Sequence, residues 1–238
     1  MISVCIATYN GEKYIEEQLE SILKQIGESD EVVISDDASV DNTCAIIEAF
    51  NDKRIKLLHN NSKSCKWNFQ NALSNAHGDI IFMSDQDDVW LEGKVDRCVE
   101  ELKHYDLVVT NSKETDQQLN IVNPDFFSVY NSGTGLIKNA INNTYYGSCM
   151  AFKADLLKYA LPFPPTNEIG HDIWIGLVAE MVGKVKFINE PYLLYRRHEQ
   201  TVTSTNRSLM KRSNRSFLTK VFSRLVVFYY IIKFKINH

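Results

Sequence analysis

Residues 78–90 read GDIIFMSDQDDVW, an apolar run that ends in three carboxylates within four positions, Asp85, Asp87 and Asp88. A continuous run of this length, bounded by polar residues, is the pattern of a strand covered on both faces, as in parallel sheets. Carboxylates this close repel one another unless solvent or a cation intervenes. Hard oxygen ligands suit Mg²⁺ or Mn²⁺, which complete their shell with substrate phosphates and water. The stretch therefore predicts a buried strand that delivers a metal-binding acid cluster to its carboxyl end. A solvated acidic turn is the blander alternative.

Outward from this strand the chain alternates. Strands are expected at residues 2–8 (ISVCIAT), 31–35 (EVVIS), 54–59 (RIKLLH) and 106–110 (DLVVT). Between them Ile15, Leu19, Ile22, Leu23 and Ile26 recur at helical spacing, as do Ala45, Ile46, Ala49 and Phe50, which follow Ser39 and Asp41 as capping candidates. Two more helices are expected over 67–76 and 94–102. Strand–helix alternation predicts an α/β protein, a Rossmann-like, mostly parallel central sheet flanked by helices, with right-handed crossovers. Ligands of such sheets bind beyond the carboxyl ends of the strands. Residues 111–144 are polar and aromatic, the pattern of a long binding loop. Order is expected again over 145–152, in a helix over 171–181 and in a strand over 184–188.

Composition sets wider bounds. With 238 residues, 44% hydrophobic and 24% charged, the chain can bury one sizeable core. Its five cysteines are odd in number and contain no C-x-x-C pair, which suits core filling in a reducing cytosol over disulfides or zinc. No charged leader precedes the first strand, and no run approaches the ~18 apolar residues of a spanning helix. Eight of the 26 Lys/Arg and none of the 30 Asp/Glu lie in residues 207–238, leaving 18 basic against 30 acidic residues elsewhere. An acidic body with a basic tail argues against nucleic acid as a partner. Three units follow: a domain over 1–206, divided at the loosening of the pattern into halves over 1–110 and 111–206 (the nucleotide-sugar and acceptor halves implied by the resemblance described below), and a basic amphipathic tail over 207–238. In that tail Phe217, Leu218, Val221, Phe222, Leu225, Val226 and Tyr229 predict a helix lying on an anionic membrane surface. Packing on its own domain, or on a second subunit in a homodimer, is the alternative.

Three further clusters follow strands or open helices. Asp36 and Asp37 could accept hydrogen bonds from a base or ribose, or merely cap a helix. Thr8, Tyr9, Asn10 and Gly11 lack G-x-G-x-x-G, which disfavours a dinucleotide site, but Tyr9 and Asn10 could stack on and bond a base. His171-Asp172-Ile173-Trp174 opens a helix after a proline-rich turn, so Asp172 is either a general base or a cap. In Tyr195-Arg196-Arg197-His198 two guanidinium groups could neutralise a diphosphate, or form a solvated basic loop.

Taken in order, the blocks SVCIATYNGEKYIEEQLESIL, VVISDDASVDNT, NNSKSCKWNFQNAL with GDIIFMSDQDDVW, GSCMAF, HDIW and YRRH resemble family 2 glycosyltransferases of the GT-A fold. The likeness runs to about Thr203 and is nearest the bacterial rhamnosyltransferase-like group. It implies an inverting enzyme that moves a sugar from a nucleotide-diphosphate donor, dTDP-rhamnose or a UDP-hexose or N-acetylhexosamine, to a saccharide acceptor. It also implies site roles. Thr8, Tyr9, Asn10, Asp36 and Asp37 serve the nucleotide, with Asp85, Gln86 and Lys66 beside them. Asp87 and His198 serve the Mg²⁺ or Mn²⁺, and Arg196 and Arg197 the diphosphate. Gly147, Ser148, His171 and Trp174 line the sugars, and Asp172 is the base. Lys66 and Asn68 fall near a helix start that faces the donor. Related sequences often carry Gly in the loop where this one has Ser62-Lys63-Ser64. If the tail lies on a membrane, the acceptor is lipid-linked and the enzyme works at the inner face of a bacterial cell membrane, in capsule or O-antigen synthesis. Two other classes share parts of the pattern. A nucleotidyltransferase would carry a Gly-rich basic loop after the first strand, where only Gly11 occurs; a non-catalytic nucleotide-sugar-binding module would hold Asp172 out of reach of an acceptor.

Overall fold

Three consecutive residues in each of three strands, Val4 to Ile6, Val32 to Ile34 and Ile81 to Met83, have no exposed surface. Only a strand covered on both faces has this property, and it is what the apolar runs of the sequence anticipate. The computed structural model describes residues 1–198 and 216–238. Strands β1 (Ile2–Thr8), β2 (Glu31–Asp36), β3 (Ile55–His59) and β4 (Ile80–Asp85) pair in parallel in the order β3-β2-β1-β4. They are joined by α1 (Ile15–Leu23), α2 (Thr43–Ala49) and α3 (Cys65–Ser74). After β4 come the short β5 (Val89–Trp90) and α4 (Lys94–Leu102). The acid cluster thus sits in the turn from β4 into β5.

The second half departs from the expected alternation. Strand β6 (Leu107–Thr115) is not the neighbour of β4. A later strand, β8 (Met150–Lys153), lies between them and is antiparallel to both. β6 pairs in parallel with β9 (Val185–Arg196), whose far end pairs antiparallel with β5. The full order is β3-β2-β1-β4-β8-β6-β9-β5, with β7 (Ile121–Asn123) on the edge of β6. The sheet is therefore mixed, because apolar periodicity marks a strand but not its partner. The stretch expected to be irregular carries the far end of β6, then β7, α5 (Phe126–Tyr130) and α6 (Leu136–Ile141). The strand expected to stop at residue 188 continues to Arg196 and carries the Tyr-Arg pair at its end. Helices α7 (Leu157–Ala160), α8 (His171–Val182) and α9 (Phe217–Asn237) complete the chain.

Helix α8 packs tightly enough to require a glycine. A Cβ on Gly176 would stand 2.3 Å from the Tyr145 ring, a distance no side chain tolerates. Tyr145 is itself fully buried and donates its hydroxyl to Glu180 on the same helix at 2.8 Å. That packing fixes where the first turn of α8, with Asp172, meets the sheet.

Candidate active site

The carboxyl ends of β1, β2 and β4 open into a cleft of about 1070 Å³. Its floor is tied together by side chains that bond to backbone. Asn68, 2% exposed on α3, donates to Thr8 O (3.1 Å) and Ser35 O (2.7 Å), stitching the ends of β1 and β2. Gln86 accepts from Tyr9 N (2.9 Å) and donates to Tyr9 O (3.1 Å), stitching β1 to the acid turn. The close approach leaves no room for a Cβ at Gly11, which would meet Gln86 Oε1 at 2.4 Å. Asn10 turns at φ 49° and accepts from Val40 N at 2.9 Å.

Of the acidic pair after β2, only Asp37 lines the cleft. Its carboxylate accepts from Ser62 N (2.5 Å), Lys63 N (3.1 Å) and Ser64 N (2.8 Å). This clamp accounts for a loop that lacks glycine: Lys63 adopts φ 54°, the left-handed region, with its neighbours' amides satisfied by Asp37. Lys63 is also the one Lys or Arg among the described residues that line the cleft. Asp36 is spent on Thr8 Oγ1 (2.9 Å), Ser39 N (2.9 Å) and Ser39 Oγ (2.5 Å). Ser39 is thus not the helix cap; Asp41 takes the Thr43 amide at 3.0 Å.

The acid turn is the electrostatic centre. Asp87 Oδ2 lies 2.8 Å from His198 Nε2, bringing the two expected metal ligands together across 111 residues. Burial, with Asp87 adding repulsion, pushes the Asp85 carboxyl well above the usual range. Asp88 is fully buried, accepts from Arg196 N at 3.0 Å, and is pushed up by burial and by Asp87 and Asp85. Opposite sits a fully buried lysine, Lys94, whose ammonium donates to Ser148 O (2.6 Å) and lies over the Trp90 ring. Ser148 Oγ accepts from Asp85 N at 3.0 Å, so the Gly147–Cys149 turn is bracketed between the acid turn and Lys94. A carboxylate–imidazole pair on the cleft wall, beside two buried acids that repel it and each other, fits Mg²⁺ or Mn²⁺. Asp36, Cys44 and His59 also bring ligand atoms within 4.8 Å, but Asp36 there is committed to Thr8 and Ser39.

From the other side, α8 presents His171 and Asp172 to the cleft. His171 stacks on Phe69 with centroids 4.2 Å apart, and burial pushes its imidazolium down, so the ring is neutral at pH 7. Gly147 faces it: a Cβ there would lie 3.2 Å from His171 Nε2. Gly170, not Asp172, precedes the helix as its cap position, and Asp172 Oδ1 accepts from Ile173 N at 2.7 Å.

Besides Asp36, four residues expected at the site are turned elsewhere. Lys66 donates to Pro164 O (2.5 Å) and Thr166 O (2.7 Å), holding the loop that leads to α8. Trp174 is buried and donates to Ala160 O at 2.9 Å. Arg196 reaches Glu17, Asp87 O (2.9 Å) and Gln117 O (3.0 Å), and Arg197 reaches Glu114 and the Tyr130 hydroxyl (2.9 Å). Both guanidiniums brace β9 against its neighbours, while Tyr195 and His198 face the cleft. The residues that sequence reasoning passed over are Lys63 and Lys94.

The fold is that of the GT-A class of α/β proteins. Staphylococcus aureus TarS in complex with UDP-GlcNAc superposes with a TM-score of 0.71 at 22% identity, over 95% of this chain and 66% of that one. The mannosyltransferase PcManGT of Pyrobaculum calidifontis, solved with GDP-Man and Mn²⁺, gives 0.63 at 23% identity, over 85% and 58%. The family model described as Glycosyl transferase family 2 matches residues 3–160, and the chain belongs to that family. Among curated relatives, the dTDP-rhamnosyl transferase RfbG of Shigella flexneri is 28% identical over 90% of this chain and 79% of its own length. The Escherichia coli UDP-Glc:alpha-D-GlcNAc-diphosphoundecaprenol beta-1,3-glucosyltransferase WfaP is 26% identical over 100% and 95%. Other relatives are longer: the chain spans 40% of the Streptococcus pneumoniae glycosyltransferase GlyG, at 34% identity over 122 residues.

Proposed function

We propose that the cleft moves a sugar from a nucleoside-diphosphate donor to a hydroxyl of a lipid-linked saccharide, with inversion, in the synthesis of a bacterial surface polysaccharide such as capsule or O-antigen. The observation that carries this reading is that one cleft is lined by the Asp85–Asp87–His198 group from one side and by Asp172 from the other. Thr8, Tyr9 and Asn10, at the end of β1, receive the nucleoside. Asp87 and His198 would hold a divalent cation, which when bound would supply Lewis-acid stabilisation for the charge of the departing diphosphate. Lys63 adds a second positive charge on the diphosphate side. Asp172 accepts the proton of the acceptor hydroxyl, whose oxygen attacks the anomeric carbon from the face opposite the diphosphate. The carbon–oxygen bond to the diphosphate breaks and takes its electron pair with it, through an oxocarbenium-like transition state. Neutral His171, held between Phe69 and Gly147, shapes the wall beside Asp172 without competing for that proton.

Support for the donor class comes from the UDP-GlcNAc and GDP-Man complexes of TarS and PcManGT, and for the acceptor class from the name of WfaP, which this chain matches along its whole length. RfbG supports dTDP-rhamnose as donor and WfaP supports UDP-glucose. The experiment is thermal stabilisation by UDP, dTDP and GDP, each with and without Mn²⁺, on the native chain and on Asp87→Ala. One nucleotide is expected to raise Tm in the presence of Mn²⁺ only, and Asp87→Ala to abolish the rise. Stabilisation by none of the three would remove the donor site as read.

A further inference from the structure

Helix α9 is apolar on two opposite faces, and the domain covers only one. Val227, Ile231 and Phe234 are buried, and Phe234 and Tyr230 set their rings edge-on to Trp174, with centroids 6.0 and 6.2 Å away. Ser223 is tied to Glu168 by a hydrogen bond. This inner face is the domain packing foreseen as the alternative for the tail. The outer face is a second stripe: Leu218, Phe222, Leu225, Tyr229, Ile232 and Ile236, spaced by four and three residues in turn, so all lie along one side of the helix. They are left open, from 57% exposure at Tyr229 to 78% at Leu218. So large an apolar stripe on a described surface marks an interaction face.

We infer that this outer face docks the protein onto an anionic lipid bilayer. Charge selects the occupant. The helix carries Lys220, Arg224, Lys233 and Lys235 and no carboxylate, and at ~100° per residue Lys233 and Lys235 fall on opposite flanks of the stripe. A second copy of α9 laid along the stripe would bring lysine against lysine with no acid to pair. An anionic headgroup layer accepts the same lysines as they reach outward from the apolar stripe. The apolar face is also wider than a coiled-coil seam, since Val221, 38% exposed, and the half-buried Val226 extend it on either side. No described helix is long and apolar enough to cross a membrane, so α9 lies on the surface. The body, with its excess of acids, is repelled by such a surface, which turns the α9 side toward it. Helix α6 packs against α9 and exposes Ile137 and Ile141, one turn apart, as further apolar contacts.

The test is co-sedimentation of the full chain with vesicles of phosphatidylcholine alone and of phosphatidylcholine mixed with phosphatidylglycerol. It needs no activity, so it is decided independently of the transfer reaction proposed above. The native chain is expected to pellet with the mixed vesicles and not with the neutral ones. Leu225→Glu/Tyr229→Glu is expected to lower that binding about tenfold or more, with Tm unchanged because both side chains point away from the domain. Val40→Glu, a still more exposed apolar site in the first half of the chain, is the control and is expected to bind as the native chain does. Equal pelleting of the native chain and the double variant would overturn the inference. So would a native dimer, seen by light scattering, that the double variant splits while neither protein binds vesicles.

Discussion

The two halves of this molecule hold their side of the cleft by different means. In residues 1–110 the frame is a run of parallel strands, three of which (β1, β2 and β4) have fully buried centres, and polar side chains merely stitch neighbouring strand ends, as Asn68 and Gln86 do. In residues 111–198 the helices α5, α6 and α7 are six residues or fewer, and the pairing of β6 with β9 shifts register twice. Such short helices are not stable by themselves. Buried polar braces take over: Glu114 gathers Arg197, Asn123 and Tyr130, and Glu180 gathers Tyr145 and Gly135 N. One wall of the cleft is thus preset by strand geometry, and the other is assembled by hydrogen bonds. In the reaction proposed above each would contribute one part of the chemistry, Asp87 from the first and Asp172 from the second.

The largest expected effect separates those parts. Asp172→Asn should lower sugar transfer by about 10²–10⁴-fold, while the nucleotide- and Mn²⁺-dependent rise in Tm stays as in the native chain. A variant that transfers at the native rate, or that also loses the nucleotide response, would collapse the division between the walls. Asp87→Ala is the converse. At a nucleotide concentration near 100 Kd the native chain gains about 2.7 kcal/mol of stability, and this gain should vanish in the variant, measured by thermal denaturation with Mn²⁺ present.

The braces predict a difference in stability rather than in binding. Glu114→Ala strips a nearly buried carboxylate from Arg197, whose side chain is 22% exposed, so the cost should fall near the low end for a broken buried pair, about 3 kcal/mol. Asn68→Ala in the first half leaves Thr8 O and Ser35 O without its amide and should cost about 1–3 kcal/mol. Urea midpoints of the two variants rank them. If Asn68→Ala proves the costlier, the parallel half depends on its polar stitches as much as the other does on its braces.

This asymmetry also explains what was legible in the sequence. Strands β1, β2 and β4 and helix α4 are readable because burial on both faces, or along one face, leaves a periodic trace. The roles expected of Asp87, His198 and Asp172 rest on the family resemblance of their blocks, and the structure lines one cleft with all three. Strand β8 was invisible as a neighbour of β4, since four residues, MAFK, carry no signal of which strand they join. Lys66, Arg196 and Arg197 were misdirected for a related reason: a cation in such a block can bind backbone carbonyls or a buried acid as well as a phosphate, and composition does not distinguish them. Lys94 did leave a trace. It shares a helical face with Val95, Cys98 and Leu102, and a lysine on an apolar face must find a buried acceptor, here Ser148 O.

The smallest expected effect tests whether the parallel half depends on surface charge at all. Between α2 and β3, Arg54 grips the Asp52 carboxylate (Nη2 to Oδ2 2.7 Å, Nε to Oδ1 3.0 Å) and also donates to Leu23 O (3.1 Å) and Ile26 O (2.9 Å) past the end of α1. The side-chain hydrogen bonds from Arg54 hold the Asp52 carboxyl down to about 2. A carboxyl whose folded pKa lies below its unfolded value, ~3.9, stabilises the fold above the unfolded value and loses that contribution as pH falls through the folded one. The Asp52 side chain is 23% exposed and solvent screens the pair, so Asp52→Asn should cost no more than about 1 kcal/mol at pH 7. The gap between native and variant should close as pH falls from about 4 toward about 2, read from urea midpoints across that range. A gap that stays constant would assign the loss to the packing of Arg54 against α1 rather than to charge. In either case it should remain below the cost of Glu114→Ala, because the parallel half rests on buried strands and the other half on its buried ions.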